Sequence, residues 1–301
     1  MSTKVKAEFD AKTEALFTKR GYFVDKKISE GAFGEVYKGI YKSPDKGNIE
    51  VAVKVMNLTS VGKKFREKFL PREINCLMSV QHPNCIYIFE ILRANNKIYI
   101  FMEFANGGDL TTAIEKKGAL PETLSCYWFW HTSEALAFMH REHKIAHRDI
   151  KGDNILIHRG IAKLTDFGFA KYSWNDKLDQ PILADTYCGT EPYYSPQLAL
   201  RGQYNPYATD CWAMGVVLFV MIHNRFPFYY GDNIKMISQM NDPNYLSNRY
   251  SKPMGKDLLN LQESLFQINE KRRITMQEVL LHPWIKKRGK KEPTEKSSCT
   301  G

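Results

Sequence analysis

The octapeptide His147-Arg148-Asp149-Ile150-Lys151-Gly152-Asp153-Asn154, with Asp166-Phe167-Gly168 a short way downstream, decides the fold. Periodicity places a helix ending near His143 before it and a short strand over residues 155–158 after it. In a loop between such elements, backbone direction changes residue by residue, so Asp149, Lys151 and Asn154 can converge on one point. A turn held by Asx hydrogen bonds explains one or two polar residues in such a place. It does not explain the full set of acids, lysine and asparagine at this spacing.

Working outward, the chain has 301 residues, 43% hydrophobic and 25% charged, with a net charge of +10. That length buries a sizeable core as one large or two closely joined lobes, and the composition excludes disorder for most of the chain. The basic residues are spread along the sequence, which disfavours nucleic acid as a partner; solubility and sites for acidic ligands are the simpler reading. Cys76, Cys85, Cys126, Cys188, Cys211 and Cys299 form no CxxC pair and no zinc spacing, so free thiols in a reducing compartment are expected. Met1-Ser2-Thr3-Lys4 has no apolar signal core, Ser2 stands where myristoylation needs glycine, and Cys299 is one position too close to the end for prenylation. The longest apolar run, Ala213 to Ile222, is about half a membrane span and reads as a buried core helix. A cytoplasmic or nuclear location with no membrane partner is expected.

Residues 4–20 have the pattern of a mixed-charge helix outside the main unit, with Phe9, Leu16 and Phe17 as packing candidates, and residues 1–21 form an N-terminal extension. From Tyr22 to Phe104 the pattern turns to short alternating β segments, at 22–28, 35–41, 49–56, 86–93 and 97–104, interrupted by one helical stretch near 63–80. After Asn106-Gly107-Gly108 the chain becomes mainly helical. Pro121 opens a long helix to His143, and further helices are expected near 194–202, 208–223, 231–240, 255–265 and 275–285. From Lys286 onward there is no apolar periodicity, which predicts a disordered basic tail. The expected class is α+β, with a small β-rich lobe of about 22–104, a larger helical lobe of about 105–285, and a ligand cleft at their hinge.

Ile28-Ser29-Glu30-Gly31-Ala32-Phe33-Gly34-Glu35-Val36 lies between two β segments, so its glycines suit a hairpin loop whose N–H groups can approach phosphates. By itself such a loop reads equally well as an ordinary hairpin. Val51-Ala52-Val53-Lys54 follows on the next strand, and a lysine among apolar strand residues is costly to bury unless its ammonium meets anions.

Taken together, the His147–Asn154 stretch, Asp166-Phe167-Gly168, the glycine loop and Val51-Ala52-Val53-Lys54 resemble the eukaryotic protein kinases over about residues 22–285. Asp166-Phe167-Gly168-Phe169-Ala170, Asp185-Thr186-Tyr187-Cys188-Gly189-Thr190 and Trp212-Ala213-Met214-Gly215-Val216-Val217-Leu218-Phe219 are most similar to the calmodulin-dependent-kinase-like group, and the compact size to its testis-specific serine/threonine kinases. The resemblance implies a bilobal kinase fold that moves the γ-phosphate of ATP, with Mg2+, to Ser or Thr of protein substrates. It implies Asp149 as the group that accepts or orients the hydroxyl proton, Lys151 as positive charge beside the transferring phosphoryl group, and Asn154 and Asp166 as magnesium ligands. Lys54 is implied to meet the α- and β-phosphates, oriented by Glu73 in Pro71-Arg72-Glu73-Ile74. Ser29, Glu30, Gly31, Ala32, Phe33, Gly34 and Glu35 are implied to cover the nucleotide, with Ser29 where the family has its first glycine. Adenine is implied to lie among Ile28, Val36, Ala52 and Leu156 and to bond the backbone of Glu103 and Ala105.

The lysine two positions after Asp149 and the Gly189-Thr190 pair match the serine/threonine form, in which that threonine bridges aspartate and lysine. Leu77, Ile88, His147 and Phe167 match the family's apolar column, with Asp210 anchoring its base. The segment from Asp166 to Pro196 matches the activation loop. Its phosphorylated position falls on Thr186, with Arg148 and Lys171 as basic partners and an upstream kinase or autophosphorylation as the source. Asp109 and Asp153 match acids that face an arginine upstream of the phosphoacceptor, whereas Val220 stands where strongly basophilic members carry a further acid. Ser195-Pro196-Gln197 departs from the usual Ala-Pro-Glu, so Gln197 meets a late arginine, Arg273, without a charge. A monomer is expected, and the tail offers no apolar anchors for a calmodulin-bound helix. Two other classes compete: a kinase-like ATP-binding scaffold, against which Lys54, Asp149 and Asp166 are all present, and a basic nucleic-acid-binding protein, which would need arginines clustered with aromatics.

Overall fold

Alternating apolar strands punctuated by Gly and Asn turns fold back on one another, and those turns shape the first half of this protein. The computed structural model describes residues 9–31, 34–58 and 78–288. They fall into two units that divide after Asn106, with residues 82–85 belonging to the second. The first unit holds β1 (Tyr22–Gly31), β2 (Gly34–Ser43), β3 (Gly47–Asn57), β4 (Ile88–Ala94) and β5 (Lys97–Glu103), an antiparallel sheet ordered β1-β2-β3-β5-β4. Asn95 and Asn96, both at positive φ (48° and 56°), make the two-residue turn that joins β4 to β5.

Side-chain alternation gives this sheet two different faces. Val51, Val53 and Val55 of β3 point to one face, with Tyr37, Tyr99 and Phe101 of neighbouring strands. Helix α1 (Ala11–Lys19) lies on that face. Its Phe17 is 2% exposed and meets Tyr99 and Phe101 edge-on, at centroid distances of 4.9 and 5.2 Å. Asp10 caps the helix by accepting from Thr13 N (3.1 Å), and Asn95 Nδ2 donates to its carboxylate (2.8 Å). Arg20 and Glu90 form an ion pair at 3.1 Å. The helix expected outside the main unit is therefore part of its core. Its stripe, Phe9-Thr13-Leu16-Phe17, has helical spacing but includes a threonine, which hides the amphipathic pattern. The opposite face carries Val36 and Lys54 as cross-strand partners, and Ala52 paired with Met102. The helix expected near 63–80, with Glu73 and Leu77, lies largely outside the described residues.

The second unit is helical around α2 (Leu110–Lys117), α3 (Glu122–Glu142), α4 (Pro196–Ala199), α5 (Pro206–His223), α6 (Asn233–Asn241), α7 (Lys256–Leu265), α8 (Met276–Leu281) and α9 (Pro283–Arg288). Two short strands, β7 (Ile155–His158) and β8 (Ile161–Leu164), form a hairpin directly after the 147–154 stretch. Residues 82–85 join this unit because Asn84 O accepts from Leu164 N (2.7 Å) and Asn84 Nδ2 donates to Ala162 O (3.2 Å). Helix α5 starts with Asn205 as N-cap and Pro206 in the first turn, and ends on Asn224 in the left-handed region. It is long and apolar enough to cross a membrane, but 89% of that stretch is buried inside the unit, as expected for a core helix.

Three expectations are corrected. The helix near 194–202 is a 3-10 turn at Glu191–Tyr193 followed by the short α4, because Pro192 and Pro196 interrupt the backbone donors. The helix near 275–285 breaks at His282, the residue before Pro283. Its continuation α9 reaches Arg288, so residues 286–288 are helix and not tail: Trp284 and Ile285 are buried, and Lys287 Nζ bonds Asp257 Oδ2 at 2.6 Å. The segment after Asp166, matched above to the activation loop, forms two-residue ladders. Strand β9 (Lys171–Tyr172) pairs with β6 (Ile145–Ala146), and β10 (Trp174–Asn175) with β11 (Gln180–Pro181).

Truncating Phe17 should open a cavity over β3, so Phe17→Ala is expected to cost about 3–5 kcal/mol and Phe17→Leu clearly less. Urea denaturation of the two variants measures this, and an unchanged midpoint for Phe17→Ala would remove α1 from the core.

Candidate active site

The catalytic segment hangs from a carboxylate in the core of the second unit. Asp210, near the start of α5, is 1% exposed. Its Oδ2 accepts from His147 N (2.8 Å) and bonds His140 Nε2 of α3 (2.9 Å), while Oδ1 accepts from Arg148 N (2.8 Å). These bonds hold Arg148 at φ 66°, a left-handed conformation that L side chains rarely adopt. The His147 ring fits between backbone groups: Nδ1 accepts from Asp149 N (3.3 Å), so Nε2 is the atom that donates to Thr165 O (2.9 Å). Phe167 packs edge-on to that ring at 5.5 Å.

Asp149 is buried, and every oxygen is engaged. Thr190 Oγ1 donates to Oδ1 (2.8 Å), Asn154 Nδ2 donates to Oδ2 (3.1 Å), and Lys151 Nζ lies 3.3 Å from Oδ2. Lys151 Nζ also donates to Thr190 Oγ1 (3.0 Å), so the hydroxyl links lysine to aspartate. Gly189 permits the approach, because it sits at φ 99° and a Cβ there would lie 2.9 Å from Arg148 O. Such an arrangement can orient a hydroxyl on the aspartate and place positive charge beside a group attacking or leaving it.

Asn154 Nδ2 also donates to Asp149 O (2.8 Å), which turns the amide oxygen the other way. Thr165 N donates to Asn154 O (2.9 Å), which places Asp166 next in line, at φ 55° and half-buried. Among the described residues no three His, Cys, Asp or Glu side chains gather to cage a metal. One carboxylate and one amide oxygen do fit a magnesium ion that keeps water and takes phosphate oxygens as further ligands.

In the first unit, Gly31 and Gly34 are cross-strand partners at the end of the β1–β2 hairpin, and the Ala32-Phe33 tip lies outside the described residues. Gly34 has φ 130°, and a Cβ there would stand 2.0 Å from Val55 O, so only glycine fits. Lys27 bonds both Glu30 and Glu35 at 2.6 Å, and Tyr37 OH donates to Glu35 (3.1 Å). The Lys27 ammonium, assisted by Tyr37, holds the Glu35 carboxyl below the usual carboxylate range. Glu30 and Glu35 thus fasten the flanks of the loop. Ser29 pairs with Val36, Ile28 is 44% exposed, Ala52 is buried, and Lys54 is half-buried on the face away from α1. Glu103 closes β5 and Ala105 follows it, while Leu156 is half-buried on β7 of the second unit. Glu73 lies outside the described residues, so the Lys54–Glu73 pair has no geometry here.

Thr186 and Lys171 are exposed. Arg148 Nε donates to Phe169 O (2.7 Å), and its Nη1 is buried without a partner among the described residues. Asp109 caps α2, with both carboxylate oxygens taken by Thr112 (2.7 and 2.9 Å), whereas Asp153 is exposed and accepts from Thr111 on one oxygen (3.2 Å). Gln197 does meet Arg273: Arg273 Nη2 donates to Gln197 Oε1 (3.1 Å), and Gln197 Nε2 donates to Ile268 O (2.7 Å). Burial depresses the Arg273 guanidinium to about 10, but carbonyls of Ala208 and Gln267 also hold it. Sequence reasoning missed His140 and Tyr193. Tyr193 accepts from Gly152 N (3.4 Å), and burial pushes its hydroxyl up to about 12. His140 carried no sequence signal beyond its place shortly before His147, and Tyr193 none beyond its place shortly after Thr190.

Residues 22–285 match the protein kinase domain family. The chain is 33% identical over 273 residues to mouse testis-specific serine/threonine-protein kinase 1, covering 90% of this chain and 73% of the relative. It is 32% identical over 277 residues to mouse testis-specific serine/threonine-protein kinase 3, covering 90% and 98%, respectively. CBL-interacting serine/threonine-protein kinase 18 of Arabidopsis thaliana is 32% identical over 268 residues, 88% of this chain and 49% of that protein. The chain belongs to the protein kinase family.

Gly34→Ala should force β2 away from β3 at Val55. We expect the variant to raise KM for ATP several-fold with a smaller change in kcat, and steady-state kinetics at varied ATP read both. An unchanged KM would show that this close approach does not shape the loop.

Proposed function

We propose that this chain is an active, magnesium-dependent serine/threonine kinase that prefers a basic residue about three positions before the acceptor and is switched on by phosphorylation of Thr186. The observation that carries the reading is the Lys151–Thr190–Asp149 chain, in which one hydroxyl joins the lysine and the carboxylate. Asp149 orients the acceptor hydroxyl and takes its proton, and Lys151 balances charge on the phosphoryl group as it moves. Asn154 and Asp166 would hold magnesium, which neutralises the β- and γ-phosphate oxygens when bound. The names of the relatives support serine/threonine acceptors.

Of the two acids proposed to read an upstream arginine, Asp153 is the better placed, because the oxygens of Asp109 are spent on capping α2. The buried Nη1 of Arg148, without a partner among the described residues, supports an anion near this arginine, as phosphate on Thr186 would provide. Free thiols at Cys85, Cys126, Cys188 and Cys211 support a reducing compartment, cytoplasm or nucleus.

Phosphate transfer from ATP to a basic protein, with magnesium, should fall about 10²–10⁴-fold in Asp149→Asn. Thr186→Ala should lower specific activity while leaving thermal stability unchanged. Transfer equal in wild type and Asp149→Asn would leave a nucleotide-binding scaffold, and unchanged activity of Thr186→Ala would end the switching reading.

A further inference from the structure

Strand β1 is an edge of its sheet, so β2 is the one strand that holds it in register. Residues 27 and 30 of a regular strand would point to opposite faces. Here Lys27 pairs with Tyr37 and Ser29 with Val36, so Ile28 is an extra residue, and this bulge turns Lys27 and Glu30 to the same face. That face is the one on which α1 lies, because Glu35 and Tyr37 pair with Val55 and Val53 of β3. Val36 and Lys54 lie on the other.

Glu30 and Glu35 are direct cross-strand partners, next to the Gly31–Gly34 pair at the end of the hairpin. Two carboxylates placed opposite each other repel, and here the repulsion acts on the strand ends that carry the glycine loop. Lys27 Nζ meets both acids, at 2.6 Å each. Glu35 has a second tie, since Tyr37 OH donates to its Oε2 (3.1 Å). The Tyr37 ring is in turn buried against Phe9, at a centroid distance of 5.2 Å. The side chains of Lys27, Glu35 and Glu30 are 28%, 36% and 69% exposed, and ion pairs so open to water add little to the stability of a fold. What the three side chains fix is the separation of the two arms of the hairpin.

We propose that Lys27 is a positioning residue for the nucleotide. From the face opposite Lys54 it cancels the Glu30–Glu35 repulsion and keeps the arms of the hairpin together, so that the loop is already shaped for phosphates before they arrive. Lys27 does this without touching the ligand, and Tyr37, packed on Phe9, seats the triad. This role rests on the kinase reading above, in which the loop covers ATP.

The test titrates the full chain, with magnesium, against the fluorescent analogue mant-ATP. Lys27→Met keeps the aliphatic stem and removes the charge, and should weaken Kd about three- to fivefold. Lys27→Arg should bind within about twofold of the wild type. Glu35→Gln separates this role from a simple field effect by the sign of the change. Removing a negative charge beside a polyphosphate would by itself tighten binding, whereas loss of the clamp loosens it, by about two- to threefold. Tyr37→Phe should shift Kd in the same direction with every charge retained. A change of about twofold or less in Lys27→Met, an equal loss in Lys27→Arg, or tighter binding by Glu35→Gln would overturn the clamp. Steady-state transfer to a basic protein separates the two readings: KM for ATP should rise in step with Kd while KM for the protein stays unchanged. Weakened Kd values without phosphate transfer by the wild type sink the kinase reading alone. Transfer with the same Kd in every variant sinks the clamp alone.

Discussion

One buried carboxylate sets the geometry of the catalytic segment. Asp210 receives His147 N, Arg148 N and His140 Nε2, and no water-exposed group could substitute, because the site is 1% exposed. Holding Arg148 in a left-handed conformation costs on the order of 1–3 kcal/mol, and the three bonds to Asp210 offset that strain. Removing the carboxylate would also strand buried donors, each costing about 1–3 kcal/mol. Asp210 can occupy this place because α5 is apolar along nearly its whole length and is packed by the rest of the unit.

Everything the segment does follows from that support. With the backbone at 147–149 fixed, Asp149 faces Thr190, and Gly189 lets the later chain come close enough for its hydroxyl to bridge to Lys151. The same fixation turns the Asn154 amide so that its NH2 bonds Asp149 and its oxygen faces the other way. In the first unit a different constraint does comparable work. Strand alternation puts Val51, Val53 and Val55 under α1 and leaves Ala52 and Lys54 on the other face, so packing of one face presents the lysine on the other.

The catalytic segment was legible because its chemistry demands particular residue types at fixed spacing, and the same holds for Lys54 and the glycine hairpin. The strands were legible from alternation and the long helices from their caps. Other features depended on tertiary context. The role of α1 was hidden because its stripe includes Thr13 and Lys12, Glu14 and Lys19 are interspersed among its apolar residues. The helical turn at 286–288 was hidden because Trp284 and Ile285 are its only apolar anchors. Asp109 matched a substrate acid in sequence, and the structure adds that its carboxylate caps α2; sequence cannot show the capping role, since a capping and a binding aspartate can both precede a helix. The neutral Gln197 looked like a broken ion pair, but its amide both accepts from Arg273 and donates to Ile268, a dual role a carboxylate lacks.

The central claim is that Lys151, Thr190 and Asp149 act as one hydrogen-bonded unit. A double-mutant cycle in kcat, with Lys151→Met, Thr190→Val and the pair together, tests it most directly. The account predicts strong non-additivity, the double variant losing little more activity than the worse single variant. Losses that multiply independently would contradict it.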